Sequence, residues 1–592
     1  MKKSRVGALV AVAAAAALVL SACSGSTGGG GGGDTIAKGT SVTVAQNSSF
    51  SSYNSSSGNG NSTYNSNITY MTGTGLGFNY YDSTPKLLKN TKFGTYEKVS
   101  DDPLTIKYTV NKGVKWSDGV QVGAADLLLA WADGNSKYND TKGVNFASAS
   151  SGTTDLITET PKISDDGRTL TVVYSKPYID WELNLAVQPI AAHAAYTAAF
   201  PNVTGDKAND AFVKAIQDDD TATLTKVAAA WSTGFDWTDM PKDKNLYLSF
   251  GPYIVSAAKK DQYITLSANK DYNWGPMPHL EKITFRFIQD PTAQVQALQN
   301  GEIQVIYGQA TSDTVAALKG LKDVTTSTDS AATYEHVDPT INNGGPFDPK
   351  TYGGDAAKAQ KVREAFLLTI PRDQIITNLI QPIQPDAKPM NSLVFLPGAD
   401  GYDASVAQNG SDVYAKTDIE KAKSLLAEAG VTTPVDVRFM YGKSNTRRAS
   451  EFALIQASAK QAGFNVIDKG DDNWSSLLGN GSYDAILFAW SFPSLAVLGA
   501  QSQLITGGGN NFNGYSSKLV DDTYNSVQSN FDATQQKADL ATIDKQLWTD
   551  AYSLPIFQFP DVTAHSNSVT GVKYSPLVPN VFWNFFDWEL KK

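Results

Sequence analysis

The sequence predicts an α/β fold with more than one lobe, and three observations support this. The chain has 592 residues, more than the ~250–300 that one hydrophobic core usually accommodates. A strand–turn–helix order runs from Asp101 to Trp131, and a strand–helix–strand order runs from Val435 to Val466. Apolar residues make up 41% of the chain and charged residues 18%, a composition typical of globular proteins.

The first 22 residues have the features of an export signal. Lys2 and Lys3 precede an apolar run, which ends at the sequence Leu-Ser-Ala-Cys with its cysteine at position 23. A transmembrane anchor is the alternative, but the run is shorter than the ~20 residues that span a bilayer. Leu-Ser-Ala-Cys is similar to a bacterial lipobox, which implies a lipid on Cys23, the only cysteine of the chain. We therefore expect an extracytoplasmic protein anchored to the bacterial cell membrane by that lipid.

Residues 23–39 are expected to form a flexible tether. Gly28 to Gly33 are consecutive glycines, and such a segment cannot bury apolar surface. A phosphate-binding loop would need a strand before it and a helix after it, and the sequence predicts neither.

The overall charge argues against one class of partner. The net charge is −10, whereas nucleic-acid binding usually requires a basic surface. The single cysteine excludes a disulfide within the chain. We expect a monomer.

Residues 41–81 are rich in Tyr, Asn, Ser and Gly after a short strand with Val42 and Val44. Composition alone allows a second linker of low complexity. Aromatic residues are scarce in linkers, however, and Tyr and Asn suit the binding of sugars or peptide backbones. Tyr53 and Tyr70 are therefore candidate ligand contacts.

The segment from Asp101 to Trp131 contains an alternating strand at 104–110, the turn sequence KGVKWSDG, and a helix with Asp126 near its start. Residues 248–306 contain a second ordered block, with the sequences FGPY, NKDYNW, PHLEKI and ALQNGEI. A third block contains GPFDP and KVREAFLL, followed by a capping box from Thr417 to Glu420.

These blocks together resemble the extracytoplasmic solute-binding proteins of family 5, the peptide/nickel/oligopeptide receptors of ABC importers. The resemblance implies a periplasmic-binding-protein-like fold of the cluster C type, with two lobes, a hinge and an additional domain in the N-terminal lobe. It places Trp116 and Asp118 in the scaffold. The implied divisions are a signal peptide at 1–22, a tether at 23–39, a lobe I core at 40–75, 247–330 and 555–592, an additional domain at 76–246, and lobe II at 331–554.

The resemblance also places the ligand near the end of the strand that contains Trp490. Relatives that bind peptides often have an Asp about three residues later, which pairs with the peptide ammonium, but this chain has Pro493 there. Trp490 is equally well explained as a core residue or as a ligand contact. The expected ligand contacts are Tyr53, Tyr70, Phe488, Trp490, Ser491, Phe492, Asn511, Phe512 and Asn513.

An enzyme would need a catalytic group, and the sequence offers none that is specific. The four histidines are scattered, and the Ser-x-x-Lys match at Ser256 lacks its companion motifs. A glycosidase's carboxylate pair cannot be recognised from sequence. We therefore expect a binding protein without metal or cofactor. It would capture oligopeptides between its lobes and deliver them to the ABC permease subunits; an oligosaccharide receptor of the same family is the first alternative, and an exported hydrolase is the second.

Overall fold

The structure is a computed structural model that describes residues 36–472, 474–492 and 495–591. The signal peptide, Cys23, the glycine run and Pro493 lie outside the described residues. The first strand begins at Ala37, inside the predicted tether, so the folded body starts slightly earlier than expected.

The chain forms strands and α-helices throughout its described length. The strands are β1 (Ala37–Gln46), β2 (Asn79–Tyr81), β3 (Leu87–Lys89), β4 (Gly94–Asp101), β5 (Leu104–Val110), β6 (Lys162–Ile163), β7 (Thr169–Val173), β8 (Tyr253–Lys259), β9 (Tyr263–Ala268), β10 (Leu280–Phe287), β11 (Val305–Gln309), β12 (Val324–Pro339), β13 (Val435–Tyr441), β14 (Phe464–Asp468), β15 (Ala485–Ser491), β16 (Leu554–Ser566), β17 (Val569–Thr570) and β18 (Glu589–Leu590). The helices are α1 (Thr63–Thr72), α2 (Ala124–Gly134), α3 (Trp181–Asn184), α4 (Ala192–Ala199), α5 (Asp206–Gln217), α6 (Thr221–Thr233), α7 (Pro291–Gln299), α8 (Ser312–Lys319), α9 (Ala356–Leu368), α10 (Arg372–Ile375), α11 (Tyr402–Val406), α12 (Ile419–Glu428), α13 (Thr446–Ala462), α14 (Gln501–Leu504), α15 (Lys518–Ser529) and α16 (Ala533–Thr549).

One ten-stranded mixed sheet connects the two lobes. Its strand order is β14-β13-β15-β12-β16-β11-β1-β10-β9-β8. Lobe I contains β1 and β8 to β11, and lobe II contains β13 to β15. The long antiparallel strands β12 and β16 lie in the middle of the sheet and pass from one lobe to the other.

The two crossing strands change register where they leave lobe I. Ser330 pairs with Pro560, but the next pair recorded is Tyr334 with Gln558, so β12 contains extra residues at this point. A bulge of this kind bends a strand and interrupts its ladder. The predicted boundaries at 330/331 and 554/555 both fall inside these two strands.

Each lobe has its own apolar core. In lobe I, Val42, Val44 and Ile283 are fully buried together with aromatic residues of the C-terminal segment, such as Phe582 and Trp588. In lobe II, the largest cluster packs β13 and β15 against α9, α12 and α13. Burial of these faces is the main stabilising contribution in each lobe.

Residues of the predicted additional domain form a separate four-stranded sheet, in the order β4-β5-β7-β6. The alternation predicted for β5 is confirmed, because Leu104, Ile106 and Tyr108 are buried and the residues between them are more exposed. Its apolar residues belong to the same cluster as the lobe I core. The additional domain and lobe I therefore share one core.

The scaffold role expected for Trp116 is confirmed, because its indole is buried and bonded to Asp126. The Trp116 indole donates to Asp126 Oδ2 at 3.3 Å, and the same oxygen accepts from the Gly123 backbone at 2.9 Å. The predicted capping box at Thr417 is wrong by one residue. Asp418 is the N-cap of α12 and accepts from the backbone N–H of Lys421. Within the described ranges, no helix combines the length and the hydropathy needed to cross a membrane.

Candidate functional site

The parallel strands of both lobes end at a common cleft. In lobe I, β1 is parallel to β10 and β11, and in lobe II, β13 is parallel to β14 and β15. Arg447, in the first turn of α13 after β13, has Nη2 3.5 Å from Oε1 of Gln309 at the end of β11. Ligands of open α/β sheets bind outside the carboxyl ends of the strands, and we take these facing ends as the candidate site.

An aromatic cluster covers the end of β15. The rings of Trp490 and Phe512 are stacked, with centroids 6.0 Å apart and an interplanar angle of 15°. Phe488 contacts Trp490 edge-on at 5.1 Å, and His336 of β12 lies parallel to the indole at 6.3 Å. Trp490 and Phe512 are half-buried, whereas Phe488 is buried. The cluster therefore presents the Trp490 and Phe512 rings to the surface over a packed base.

The last four residues of β15 have one free backbone edge. β13 pairs with β15 only as far as Leu487, while β12 continues along the other side as far as Ser491. Among the described pairings, no strand follows Leu487 on the β13 side. An unpaired strand edge can accept an extended peptide as an additional strand.

Four charged side chains of lobe II form a buried network beside this edge. Glu335 accepts from Arg447 at 2.5 Å and from Arg448 at 3.0 Å, and Arg447 also pairs with Glu451. Both glutamates are fully buried. The Arg447 guanidinium additionally lies over the rings of Phe557 and Phe559, at 5.3 and 4.7 Å from their centroids. Because the two guanidiniums face two carboxyl groups, much of the buried charge is compensated, as buried charges require.

The pKa values of the two glutamates move in opposite directions. Burial alone would raise the pKa of Glu335, but the charges of Arg447 and Arg448 outweigh it and hold that pKa below its ordinary value. Burial raises the pKa of Glu451 to about 7, because its attraction to Arg447 compensates only in part. Glu335 is therefore the carboxylate that fixes the two arginines.

Lobe I contributes a polar group at the end of β1. The Asn67 amide of α1 donates to the Tyr307 hydroxyl at 2.8 Å, and that hydroxyl lies 3.4 Å from Gln46 Oε1. Burial raises the pKa of Tyr307 far above its usual range, so the hydroxyl stays protonated. The Asn67 side-chain oxygen is buried without a hydrogen-bond partner.

The additional domain also reaches lobe II. The Asp180 carboxylate accepts the backbone N–H groups of Val497 and Leu498 at 3.0 and 2.8 Å. The backbone N–H of Ile179 donates to the Gln528 carbonyl at 3.0 Å. These contacts join the lobes at a place remote in sequence from β12 and β16.

Tyr53 does not reach the cleft surface, which corrects the expectation from sequence. It is 1% exposed and stacks on Trp237, and its hydroxyl bonds to the Leu248 carbonyl and to Thr72 Oγ1. A ring enclosed in this way packs the core of lobe I. Tyr70 is half-buried, and its hydroxyl donates to the Trp583 carbonyl at 3.3 Å.

The loop after β15 uses most of its polar groups internally. The Asn511 amide donates to the Ile505 and Tyr515 carbonyls, and Asn513 is 3% exposed and accepts from the Tyr515 backbone. These two asparagines therefore shape the loop that carries Phe512 instead of facing a ligand. Phe492 is buried in a neighbouring apolar cluster. Ser491 is exposed, with its hydroxyl 2.8 Å from that of Thr333.

Sequence reasoning missed the charged residues of the site. Glu335 and Arg447 are 112 positions apart in the chain, and no local pattern connects them. The sequence RRASE at 447–451 has an i,i+4 Arg–Glu pair, which is the one local signal that was available. Among the described residues, no three His, Cys, Asp or Glu side chains come together as a metal site.

The family model for bacterial extracellular solute-binding proteins, family 5 (Middle), matches residues 84–512. An uncharacterised lipoprotein of Mycobacterium tuberculosis is 24% identical over 527 residues, which cover 87% of each chain. Two solved structures share the fold: the periplasmic EDTA-binding protein EppA (TM-score 0.76, 23% identity, covering 94% of this chain and 98% of that one) and the Bacillus subtilis oligopeptide-binding protein AppA with a nonapeptide (0.68, 18%, 93% and 99%).

The family match covers well over half of the chain and includes β10, β11 and β13 to β15. The mixed sheet shared by two lobes agrees with the fold of the structural neighbours. This chain therefore belongs to family 5 of the bacterial extracellular solute-binding proteins, the receptor components of ABC importers.

Proposed function

We propose that the chain is a lipid-anchored receptor that captures oligopeptides between its lobes and delivers them to the permease subunits of an ABC importer. The observation that carries this proposal is the free edge of β15 from Phe488 to Ser491, next to the half-buried rings of Trp490 and Phe512. A peptide bound along this edge would be held through its main chain, which every peptide offers regardless of sequence.

Three side chains remain as proposed ligand contacts on the lobe II side: Trp490, Ser491 and Phe512. The two rings provide flat apolar surface for peptide side chains, and the exposed Ser491 hydroxyl provides a donor and an acceptor. Tyr70 remains a proposed contact at the edge of lobe I.

The relatives support the peptide assignment and the anchor. AppA was solved with a nonapeptide, and the mycobacterial relative is named as a lipoprotein. Lipidation of Cys23 would hold the receptor at the membrane surface beside its permease, with residues 24–36 as the connection to β1.

An oligosaccharide receptor is the second candidate, and the stacked Trp490–Phe512 pair favours it. Flat aromatic faces suit sugar rings as well as peptide side chains. The two candidates differ at β15, because a sugar has no main chain to extend the sheet.

We further propose that ligand binding drives closure by rotation of lobe II against lobe I and its additional domain. The Asp180 contacts with Val497 and Leu498 would form in the closed state, because they join the two sides at a distance from the crossing strands. A ligand that contacts both lobes has higher affinity for the closed form and shifts the population toward it.

Native mass spectrometry of the chain without residues 1–23 tests the proposal. A heterogeneous set of co-purified masses in the peptide range, lost after unfolding and refolding, is the expected result. A single mass of a sugar would replace the peptide assignment with the second candidate.

A synthetic tetrapeptide pool with free termini, titrated by calorimetry, provides the quantitative test. Trp490→Ala is expected to weaken binding by about tenfold or more. Trp237→Ala, which removes a half-buried indole of lobe I outside the cleft, is the matched control and should leave the affinity within about twofold. Equal effects of the two variants would argue against the β15 site.

A further inference from the structure

The crossing strands carry two carboxylates that face each other. Asp329 of β12 is the direct cross-strand partner of Asp561 of β16, so the two side chains lie on the same face of the sheet. Both are half-buried. Like charges at directly opposite positions destabilise a sheet, so this arrangement calls for a positive partner.

Arg447 approaches the neighbouring Gln309, but no described cation lies within ion-pair distance of either carboxylate. Neither Asp329 nor Asp561 takes part in an ion pair within the described ranges. Asp561 accepts from the Tyr574 hydroxyl at 3.1 Å, and Asp329 accepts from the Ser327 hydroxyl at 2.8 Å. On the other side of Asp561, its cross-strand partner is the uncharged Gln309.

The position of the pair places it in the cleft. Gln309 is the residue that Arg447 of lobe II approaches, and it is in register with Asp561. Phe559, whose ring lies under the Arg447 guanidinium, is two residues before Asp561 on the same strand face. Asp561 thus lies one strand, and Asp329 two strands, from Gln309, where the lobes meet.

Two further acceptors, one next to Asp561 and one beyond Tyr307, have no hydrogen-bond partner among the described residues. The Thr563 hydroxyl is buried without a hydrogen bond, and this residue is 4% exposed. Thr563 lies two positions after Asp561 on the same face of β16, and its cross-strand partner in β11 is Tyr307. The Asn67 oxygen, whose own amide donates to Tyr307, is also unpartnered. Buried polar groups are normally satisfied, so these atoms point to a group that the protein itself does not provide.

We infer that Asp329 and Asp561 form a subsite for a primary ammonium group of the ligand. A peptide offers this group at its N-terminus or on a lysine side chain, and either one supplies the three donors that two carboxylates and neighbouring oxygens would accept. The inference rests on the proposed function, and it gives the receptor an ammonium site despite Pro493, which stands where relatives that bind peptides often have an Asp.

The experiment compares the affinities of three tetrapeptide pools by calorimetry. The first pool has free N-termini and no Lys or Arg; the second is N-acetylated and otherwise identical; the third is N-acetylated with one Lys. Wild type is expected to bind the first or the third pool about tenfold or more tightly than the second. Tighter binding of the first pool would show that the subsite takes the N-terminal ammonium. Tighter binding of the third pool would show that it takes the lysine ammonium.

The double variant Asp329→Asn/Asp561→Asn is expected to lose this preference to within about twofold while binding the acetylated pool without lysine like wild type. Asp313→Asn/Asp323→Asn removes the same charge from exposed positions of lobe I and should keep the preference. Equal binding of all pools by wild type, or a preference that persists in the first double variant, would overturn the inference.

A second probe separates this inference from the proposed function. If no pool binds wild type, the peptide assignment fails, and thermal unfolding is then followed with 1,4-diaminobutane and with 1,4-butanediol. Stabilisation by the diamine alone, lost in Asp329→Asn/Asp561→Asn, would keep the ammonium subsite for another class of ligand. No stabilisation by the diamine would overturn the subsite as well.

Discussion

Two groups of charged side chains lie on either side of the hinge, and they solve the problem of buried charge differently. In lobe II, Glu335 and Glu451 are fully buried but face Arg447 and Arg448. On the crossing strands, Asp329 and Asp561 face each other, and neither forms an ion pair within the described residues. The glutamates of the first group are more deeply buried than the aspartates of the second group, but their charges are better compensated.

The difference separates a structural role from a ligand-binding role. A compensated network already has its partners and holds the loop at the start of α13 against β12, since breaking one pair would leave a charge buried and alone. An uncompensated pair gains most when an external cation arrives. Four variants test this distinction.

The largest effect is expected for Glu335→Gln, which removes the carboxylate shared by both arginines. Two guanidiniums would remain near Glu451 alone, and we expect a loss of about 3–5 kcal/mol in the free energy of unfolding, measured by denaturant titration. Glu302→Gln breaks an exposed pair with Arg286 and should leave the free energy of unfolding close to that of wild type, because solvent screens exposed ion pairs. Similar losses in both variants would contradict a structural role for the buried network.

The second prediction concerns pH and Asp561. Burial, with a smaller contribution from Asp329 opposite, raises the pKa of this carboxyl to about 6 against the hydrogen bond from Tyr574. The unfolded chain releases the same proton near pH 4. The folded state therefore binds this proton more tightly than the unfolded chain does. Its contribution to the free energy of unfolding is lost as the pH rises from about 4 to about 6.

Asp561→Asn removes this ionisation and is expected to be more stable than wild type by on the order of 2 kcal/mol at pH 8. Near pH 4 the two proteins should unfold alike. Denaturant titrations at pH 4, 6 and 8 measure the difference, with Asp313→Asn as the exposed control. A difference that does not change with pH would show that Asp561 ionises normally.

The buried carboxylate of Asp180 has a third kind of surroundings. Asp180 is stabilised by two backbone N–H groups of lobe II, although burial still raises its pKa. Asp180→Asn keeps an acceptor but removes the charge, and a charge-assisted hydrogen bond contributes about 1 kcal/mol more than a neutral one. We expect a faster release of bound peptide, by about fivefold, with little change in the association rate.

Stopped-flow measurement of the release rate tests this expectation. Asp140→Asn changes an exposed aspartate of the same domain and serves as the control. An unchanged release rate in Asp180→Asn would place the contact outside the closing motion.

The smallest effect on stability is expected when a cation is introduced next to Asp329 and Asp561. Gln309→Lys places an ammonium opposite Asp561 but also beside Arg447, whose Nη2 lies 3.5 Å from the Gln309 side chain. A cross-strand pair of opposite charges contributes about 0.2–1 kcal/mol, and repulsion from Arg447 offsets part of this gain, so we expect little change in stability. The variant should bind amine-bearing peptides less tightly, because the lysine competes for the carboxylates. Gln309→Met adds no charge and is the control, and equal peptide affinities of the two variants would refute the comparison.

Much of the fold could be predicted from local patterns. The alternation from Leu104 to Val110 identified β5, and the scaffold role of Trp116 followed from the family resemblance. The displacement of the α12 cap from Thr417 to Asp418 reflects two adjacent residues that are both good N-caps, which sequence alone does not separate.

The site was harder to predict because its residues meet across long stretches of chain. Asp329 and Asp561 are brought together by the pairing of β12 with β16, and neither lies in a recognisable motif. Tyr53 was misplaced for a related reason. Its burial depends on Trp237 and Leu248, which are nearly two hundred residues away.

The crossing pair of strands also limits how the molecule can move. Lobe II is connected to lobe I through two neighbouring hydrogen-bonded strands, and their bulge lies at one level along both. A two-stranded ribbon bends across its flat face far more easily than it stretches or shears in its plane. We therefore expect the proposed opening and closing of the lobes to follow one main bending motion. A single pair of spectroscopic labels, one on each lobe, would then suffice to follow the whole motion.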